Sequence, residues 1–331
     1  MTAKMTGARY FASQLKAYGV THVFFMDAVL RRALAEMEDF GIARILGHSE
    51  KGVGYMADGY ARVAGRPGIA MAQSVGAANL AASMQDPYLG HSPVIAFTGR
   101  HVATNQYRNA YQEVDHAPLF EAVTKFTGRM DELPQMAHLI RQAFREATTG
   151  TPRPVRLDVA GNTGDGLTPF ECDFPVEADA AHATYPAFRP QPDSAAVARA
   201  VAAIAKAERP VILADRGAAI SGAGPAVLAL AERIQAPVVV TLDARSTVPE
   251  NHPLFRGLAG LYGRSCANHV VDEADLVIYA GSNPATTPPA TGKCRAPARR
   301  SCRSTSTRSN SAAITPAPSA CWPTCAPASR P

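Results

Sequence analysis

Residues 43–73 read ARILGHSEKGVGYMADGYARVAGRPGIAMAQ, and this stretch decides the fold class. The short apolar run ARILGH is followed by Ser49 and Glu50, then by the fifteen-residue helical run KGVGYMADGYARVAG, then by Arg-Pro-Gly and a second apolar run, GIAMAQ. Apolar runs of four to eight residues bounded by turn formers read as strands, and the longer periodic run between them reads as a crossover helix. A strand, a helix and a second strand in that order imply a parallel βαβ unit. Glu50 then sits where the first strand gives way to the helix. A carboxylate at such a junction can simply satisfy the helix amides, with Ser49 as the cap, or it can serve chemistry.

Working outward, the same alternation fills residues 6–165. THVFFM, ARILGH, GIAMAQ, SPVIAFTG and RPVRLDVA are strand candidates separated by amphipathic helices. From Thr163 to Pro192 the chain is rich in Pro, Asp, Gly and Thr without periodicity, which reads as a linker. Alternation resumes near Asp193 with SAAVARAVAAIAKA (helix), RPVILAD (strand), GPAVLALAERIQ (helix), APVVVTLD (strand), SCANHVVDEA (helix) and DLVIYAG (strand). The expected architecture is α/β: two doubly wound, mostly parallel-sheet domains followed by a disordered tail. The expected boundaries are 1–165, a linker at 166–192, a central domain at 193–283 and a tail at 284–331.

Composition narrows the function classes. The chain has 331 residues, 47% hydrophobic and 18% charged, enough to bury the cores of about two domains. No run of about eighteen uncharged apolar residues occurs, and MTAKMTGARYFASQLKAYGV reads as an amphipathic helix, so a cytoplasmic protein with no membrane partner is expected. The net charge of +5 comes from the end of the chain, where Arg295, Arg299, Arg300, Arg303, Arg308 and Arg330 lie. No basic stripe with interleaved aromatics precedes it, so no nucleic-acid partner is expected. Cys294, Cys302, Cys321 and Cys325 crowd the same end, but they lack a close CxxC pair and no His follows His269, so no metal site is expected. The loop GAAISGAGPA does not give the spacing of a dinucleotide fingerprint, because its glycines fall at 217, 222 and 224.

His-x-Glu at 48–50 followed by GYMADGYARVAGRPG resembles the pyrimidine-binding domain of the thiamine-diphosphate enzymes, the family of acetolactate synthase, pyruvate oxidase and benzoylformate decarboxylase. The resemblance continues through QSVGAANLAASMQDPYLGHSPVIAFTGR, AYQEVDH, GTPRPVRLDV, SGAGPAVLALAERIQAPVVVTL and PENHPLFRG. It implies attack of a thiazolium C2 ylid on a 2-keto acid, then decarboxylation and carboligation. It assigns Glu50 as the catalytic carboxyl that exchanges a proton with the cofactor's pyrimidine ring nitrogen, a task suited to a carboxyl in a partly buried cleft. The matching loop Gln73 to Asn79 brings Val75, Gly76 and Asn79 to the cofactor, and Gln112 of AYQEVDH faces the cofactor and substrate cleft. Without the resemblance, Gln112 is a polar surface residue and the loop an ordinary strand-to-helix turn. His48 and His116 read equally as site residues or as structural histidines.

The chain also departs from the family pattern. Met26-Asp27-Ala28 stands where many relatives have a Pro-Gly turn, which bears on substrate choice. Ala214-Asp215-Arg216-Gly217 replaces a glycine-rich turn, so a bound flavin is not expected. In this family Mg²⁺ and the diphosphate belong to a third domain, marked by Gly-Asp-Gly and a later Asn. Gly164-Asp165-Gly166 matches three letters in the wrong context, so only the pyrimidine half of the cofactor site is expected here. Relatives are homo-oligomers with active sites between subunits.

After Gly281 the periodicity stops, and the remainder holds one Ile and no Leu, Val or Phe. It cannot bury enough apolar surface to offset its ordering entropy. Reading each codon one base early, with permitted third bases, gives WQVPRPGAKIVQIDIDPQQFGRNYP from Gly292 and VGVLADVRAGLA from Ser319. Both resemble the end of the family's central domain, so a lost base near Ser282 to Pro284 is expected. The expectation is a fragment of an acetolactate-synthase-like enzyme, inactive alone. The alternatives are a non-catalytic binding or regulatory protein that pairs with a full-length homologue, and a nucleotide-binding α/β protein.

Overall fold

The computed structural model describes residues 4–27, 29–282 and 300–304. The chain forms two compact units, residues 1–189 and 190–331.

The first unit runs β1 (Met5–Thr6), α1 (Gly7–Ala17), β2 (His22–Phe25), α2 (Arg31–Glu36), β3 (Ala43–Leu46), α3 (Glu50–Ala64), β4 (Gly68–Ala72), α4 (Gly76–Ser83), α5 (Gln85–Leu89), β5 (Val94–Arg100), α6 (Ala117–Glu121), β6 (Phe126–Met130), α7 (Leu133–Thr148), β7 (Val155–Ala160) and β8 (Glu171–Cys172). Six of these strands form one sheet in the order β3-β2-β4-β5-β7-β6, parallel throughout. Every residue of β4, β5 and β7 is buried, as strands in the middle of a two-sided parallel sheet are, including the polar Thr98, Arg100, Arg156 and Asp158. Chain order reverses between β2 and β4, and in such sheets the crevice at the carboxyl ends of the reversing strands is where ligands bind.

Each face is covered by helices whose sequence pattern fits the task. In α7 the buried positions Met136, Leu139, Ile140, Ala143, Phe144 and Ala147 follow helical spacing. Each large one contributes about 1.5–3 kcal/mol through burial. On the other face α3 buries Val53, Gly54, Ala57 and Ala61, and the small residues let it lie close. A Cβ on Gly54 would come within 1.9 Å of Ser83 Oγ on α4. The helix starts at Ser49, whose Oγ accepts from Gly52 N–H, and stops at Gly65, whose φ of 64° suits glycine.

Residues 166–189, unperiodic in sequence, are folded onto this unit. β8 pairs antiparallel with β1, Tyr185 OH donates to Ala61 O at 2.9 Å, and buried His182 meets Thr148 Oγ1 at 3.0 Å. Strand β6 also carries no sequence signal of its own. It is the sheet edge, where exposed and buried positions mix, and Gly128 sits in its middle.

The second unit runs α8 (Ser194–Ile204), β9 (Pro210–Ala214), α9 (Arg216–Ile220), α10 (Gly224–Ile234), β10 (Val238–Val240), β11 (Phe255–Leu258), α11 (Ser265–Glu273), β12 (Leu276–Ala280) and β13 (Arg300–Ser304). Its sheet is parallel, in the order β11-β10-β9-β12-β13. Both units are therefore doubly wound α/β, as the alternation implies. Of the tail, only β13 falls among the described residues, and its backbone pairs with β12 from Leu276↔Arg300 to Ala280↔Ser304. The rest of the disordered-tail expectation lies outside them.

Candidate functional site

Glu50 is the first residue of α3, at the carboxyl end of β3. Its side chain is directed to α4, the helix that follows β4. Asn79 Nδ2 donates to Glu50 Oε2 at 3.2 Å. Beneath the carboxylate lies Gly76, where an added Cβ would stand 2.5 Å from Oε1, 2.8 Å from Cγ and 2.9 Å from Cδ. Only glycine leaves room for the acid. Val75, half-buried, is the residue before the first turn of α4, and that turn is held by Ala77 N–H donating to Gln73 O at 2.9 Å.

The loop after β4 also reaches Gln112. Ser74 Oγ donates to Gln112 O at 2.6 Å, and Asn162 Nδ2 donates to Gln112 Oε1 at 3.3 Å. Gln112 has φ of 61°, in the left-handed region that few non-glycine residues adopt. Its neighbour Glu113 holds the loop in shape, accepting from the backbone N–H groups of Tyr107 and Ala110. These backbone donors hold the Glu113 carboxyl below the usual carboxylate range. Glu50, Gly76 and Asn79 are thus in mutual contact, and Gln112 joins them through Ser74. All lie at the carboxyl ends of parallel strands. Met26 follows β2 on the other lip of the crevice and donates its N–H to Met71 O at 3.2 Å; Ala28 lies outside the described residues.

The two histidines separate. His48 is exposed on the turn before α3, whereas His116 is buried at 2% exposure inside a charge cluster that sequence reading does not reveal. Arg156 Nη2 donates to His116 Nε2 at 2.8 Å and pairs with Asp158 Oδ2 at 2.8 Å. Thr98 Oγ1 donates to Asp158 Oδ1 at 2.9 Å, and Arg100 pairs with Asp158 at 3.2 Å and with Asp131. Burial opposes the charge on Asp158, but His116, Arg156 and Thr98 more than offset it and hold the carboxyl below its ordinary range. This cluster borders a cavity of about 160 Å³ under the Gln112 loop. Arg156 and Asp158 hide in RPVRLDVA because partners some sixty residues apart leave no local signature.

Gly164-Asp165-Gly166 is a turn that uses its own carboxylate: Asp165 accepts from Thr168 Oγ1 at 3.0 Å and Thr163 Oγ1 at 3.3 Å. In the second unit Asp215, 8% exposed, stands where chain order reverses between β9 and β12. Its carboxylate accepts from Arg216 N–H, Thr241 Oγ1 and Ser282 Oγ. No group of three or more His, Cys, Asp or Glu able to hold a metal occurs among the described residues. No helix among them is long and apolar enough to cross a membrane.

Residues 5–119 match the family model described as thiamine pyrophosphate enzyme, N-terminal TPP binding domain, and residues 197–300 match thiamine pyrophosphate enzyme, central domain. The chain belongs to the thiamine pyrophosphate enzyme family. Among curated members it is 34% identical over 282 residues to a probable acetolactate synthase large subunit of Methanocaldococcus jannaschii, covering 84% of this chain and 47% of that protein. It is 32% identical to the acetolactate synthase isozyme 1 large subunit of Escherichia coli, over 84% of this chain and 49% of that one. It is 30% identical to a sulfoacetaldehyde acetyltransferase of Alcaligenes xylosoxydans xylosoxydans, over 84% and 45%. The chain spans about half the length of these thiamine pyrophosphate enzymes. The N-terminal match contains Glu50, Val75, Gly76, Asn79 and Gln112.

Proposed function

We propose that this chain is the front part of an acetolactate-synthase-like thiamine-diphosphate enzyme acting on 2-keto acids, and that its 331 residues alone do not complete the reaction. The observation that carries the reading is Glu50 lying over the bare α-carbon of Gly76, at the crevice of a domain whose family binds this cofactor. The residues fit the pyrimidine end of thiamine diphosphate: a carboxyl able to exchange a proton, a glycine that leaves space beside it, and amide side chains at Asn79 and Gln112 that can orient a heterocycle. The bound cofactor supplies a carbon nucleophile for the keto-acid carbonyl. Glu50 holds and returns a proton at the ring nitrogen, and Gln112 orients substrate. Decarboxylation and carboligation are the steps we assign to the complete enzyme, with active sites between subunits of a homo-oligomer in the cytoplasm.

The diphosphate and Mg²⁺ need ligands beyond those found among the described residues. Asp165 is engaged by its own loop threonines, and a hard cation requires several converging oxygens. A flavin does not fit the second unit. Asp215 places a negative charge, already hydrogen-bonded three times, in the crevice where a diphosphate would have to lie.

What supports a displaced reading frame is position. Counted along the shifted frame, KIVQI falls on residues 300–304, the five that form β13. As read, those residues are RSCRS. A mostly apolar strand suits the place beside β12 better than a basic one.

The test is the protein read through in the shifted frame, incubated with pyruvate, Mg²⁺ and thiamine diphosphate beside its Glu50→Gln variant. Turnover in the first and a loss of two or more orders of magnitude in the second is the expected result. Equal turnover refutes the role of Glu50. Resequencing the codons for Ser282 to Pro284 in independent isolates checks the frame.

A further inference from the structure

Glu50 has two oxygens in unlike surroundings. Oε2 accepts from the Asn79 amide at 3.2 Å. Oε1 lies over the bare α-carbon of Gly76, 2.5 Å from where a Cβ would stand. The two residues come from the first turns of different helices, so the contact is fixed by the packing of α3 on α4 and not by neighbouring sequence. An amide N–H can only donate, and a carboxylic acid accepts better at its carbonyl oxygen than at the oxygen that carries the proton. An acid whose Oε2 accepts from a donor therefore favours the proton on Oε1.

We propose that Asn79 is a positioning residue: it selects Oε1 as the proton-bearing oxygen of Glu50 and aims it at the heterocycle. The inference rests on the reading of Glu50 given above. In the exchange, the Oε1–H bond breaks as the ring nitrogen gains the proton, and Glu50 is left as a carboxylate. Oε2 accepts from Asn79 before and after, and Asn79 neither gains nor loses a proton. Because its partner does not change, the carboxyl has no rotation to make between the two states, which is the preorganisation that proton transfer favours.

The probe is 4-amino-2,5-dimethylpyrimidine labelled with ¹⁵N at the ring nitrogens, titrated into this chain by NMR. In the unmodified chain the bound ring nitrogen moves upfield as it shares the acid proton, and Glu50→Gln abolishes that shift. Asn79→Leu, an exposed helical position where leucine is well tolerated, is expected to reduce the shift and weaken binding roughly tenfold. Asn79→Asp, equal in size but without the donor, behaves the same way. In the Glu50→Gln background, Asn79→Leu adds nothing. Wild-type shift and affinity in Asn79→Leu overturn the proposal, as does equal weakening in both backgrounds. A Glu50→Gln chain that retains the shift, or an unmodified chain that does not bind the probe, overturns instead the reading of Glu50 on which this role stands.

Discussion

The carboxyl of Glu50 rests on the α-carbon of Gly76, so close that a single methyl group there would stand 2.5 Å from Oε1. Alanine is otherwise the better helix former, so Gly76→Ala separates local propensity from the site. The variant is expected to keep its fold, with a stability change within about 1 kcal/mol. It displaces Glu50 and weakens thiamine diphosphate binding at least about tenfold, since misplacement by an ångström at a site is costly. Chemical denaturation and calorimetric titration read the two effects apart.

Asp158 and Arg156 are buried partners at 2.8 Å. Asp158→Asn leaves the 1%-exposed Arg156 without its counter-charge, and about 3–5 kcal/mol of stability is expected to be lost, measured by urea unfolding. Because the folded-state pKa of Asp158 is depressed, the unfolded chain takes up its proton first as pH falls. The stabilisation is whole above the ordinary carboxylate value and disappears progressively below it. Unfolding of the parent between pH 6 and 3 therefore shows a steeper decline than that of Asp158→Asn.

His182 ties residues 166–189 to α7 through Thr148. Burial, only partly opposed by Asp179, pulls its pKa below the ordinary 6.5. The unfolded chain thus binds the proton more readily than the folded one. Its contribution is intact above 6.5 and is lost as pH falls from there towards the depressed value. Thr148 and Asp179 meet the ring, and the charge on Arg145 adds to the lowering. His182→Gln is expected to flatten the stability profile between pH 7 and 5, followed by the urea midpoint.

Lys125 Nζ donates to three carbonyls at the end of α7: Glu146 at 2.8 Å, Thr149 at 2.6 Å and Thr151 at 3.4 Å. An ammonium there meets both the unpaired carbonyls and the negative end of the helix. Lys125→Met keeps the stem and removes the donors. About 1–2 kcal/mol of stability is expected to go with them, visible as a lower thermal midpoint.

Reading the gene in the shifted frame from residue 284 replaces RSCRS by KIVQI at β13. Burial of two isoleucines and a valine beside β12 is worth about 1.5–3 kcal/mol each, so the second unit is expected to melt several degrees higher. An unchanged midpoint by calorimetry counts against the displaced frame.

Much of this architecture is legible in the sequence because doubly wound sheets announce themselves: β4, β5, β7, β9, β10 and β12 are short apolar runs between periodic helices. The strands that escape are two edge strands, although the edge strand β3 is read from ARILGH. β6 alternates weakly around Gly128, and β11 contains Gly257 at φ of 104°, so neither carries the buried pattern that marks an inner strand. Residues 166–189 look like a linker because their attachments, the two-residue strand β8, scattered apolar contacts from Leu167, Cys172 and Phe174, and hydrogen bonds from Tyr185 and His182, follow no helical or strand period. At the site, Glu50 is visible through its motif, and Gly76 and Asn79 are visible as members of a matching loop. That these residues touch is not visible, since the contact crosses two helices. The cluster of Arg156, Asp158, Thr98 and His116 is hidden for the same reason.

The ladder between β12 and β13 is satisfied by peptide groups alone, and peptide groups are the same in every residue but proline. An outer place in a parallel sheet is in this sense a socket gauged by direction and reach before composition. Such a place can be filled by any segment that runs parallel to its neighbour and offers its peptide groups in register.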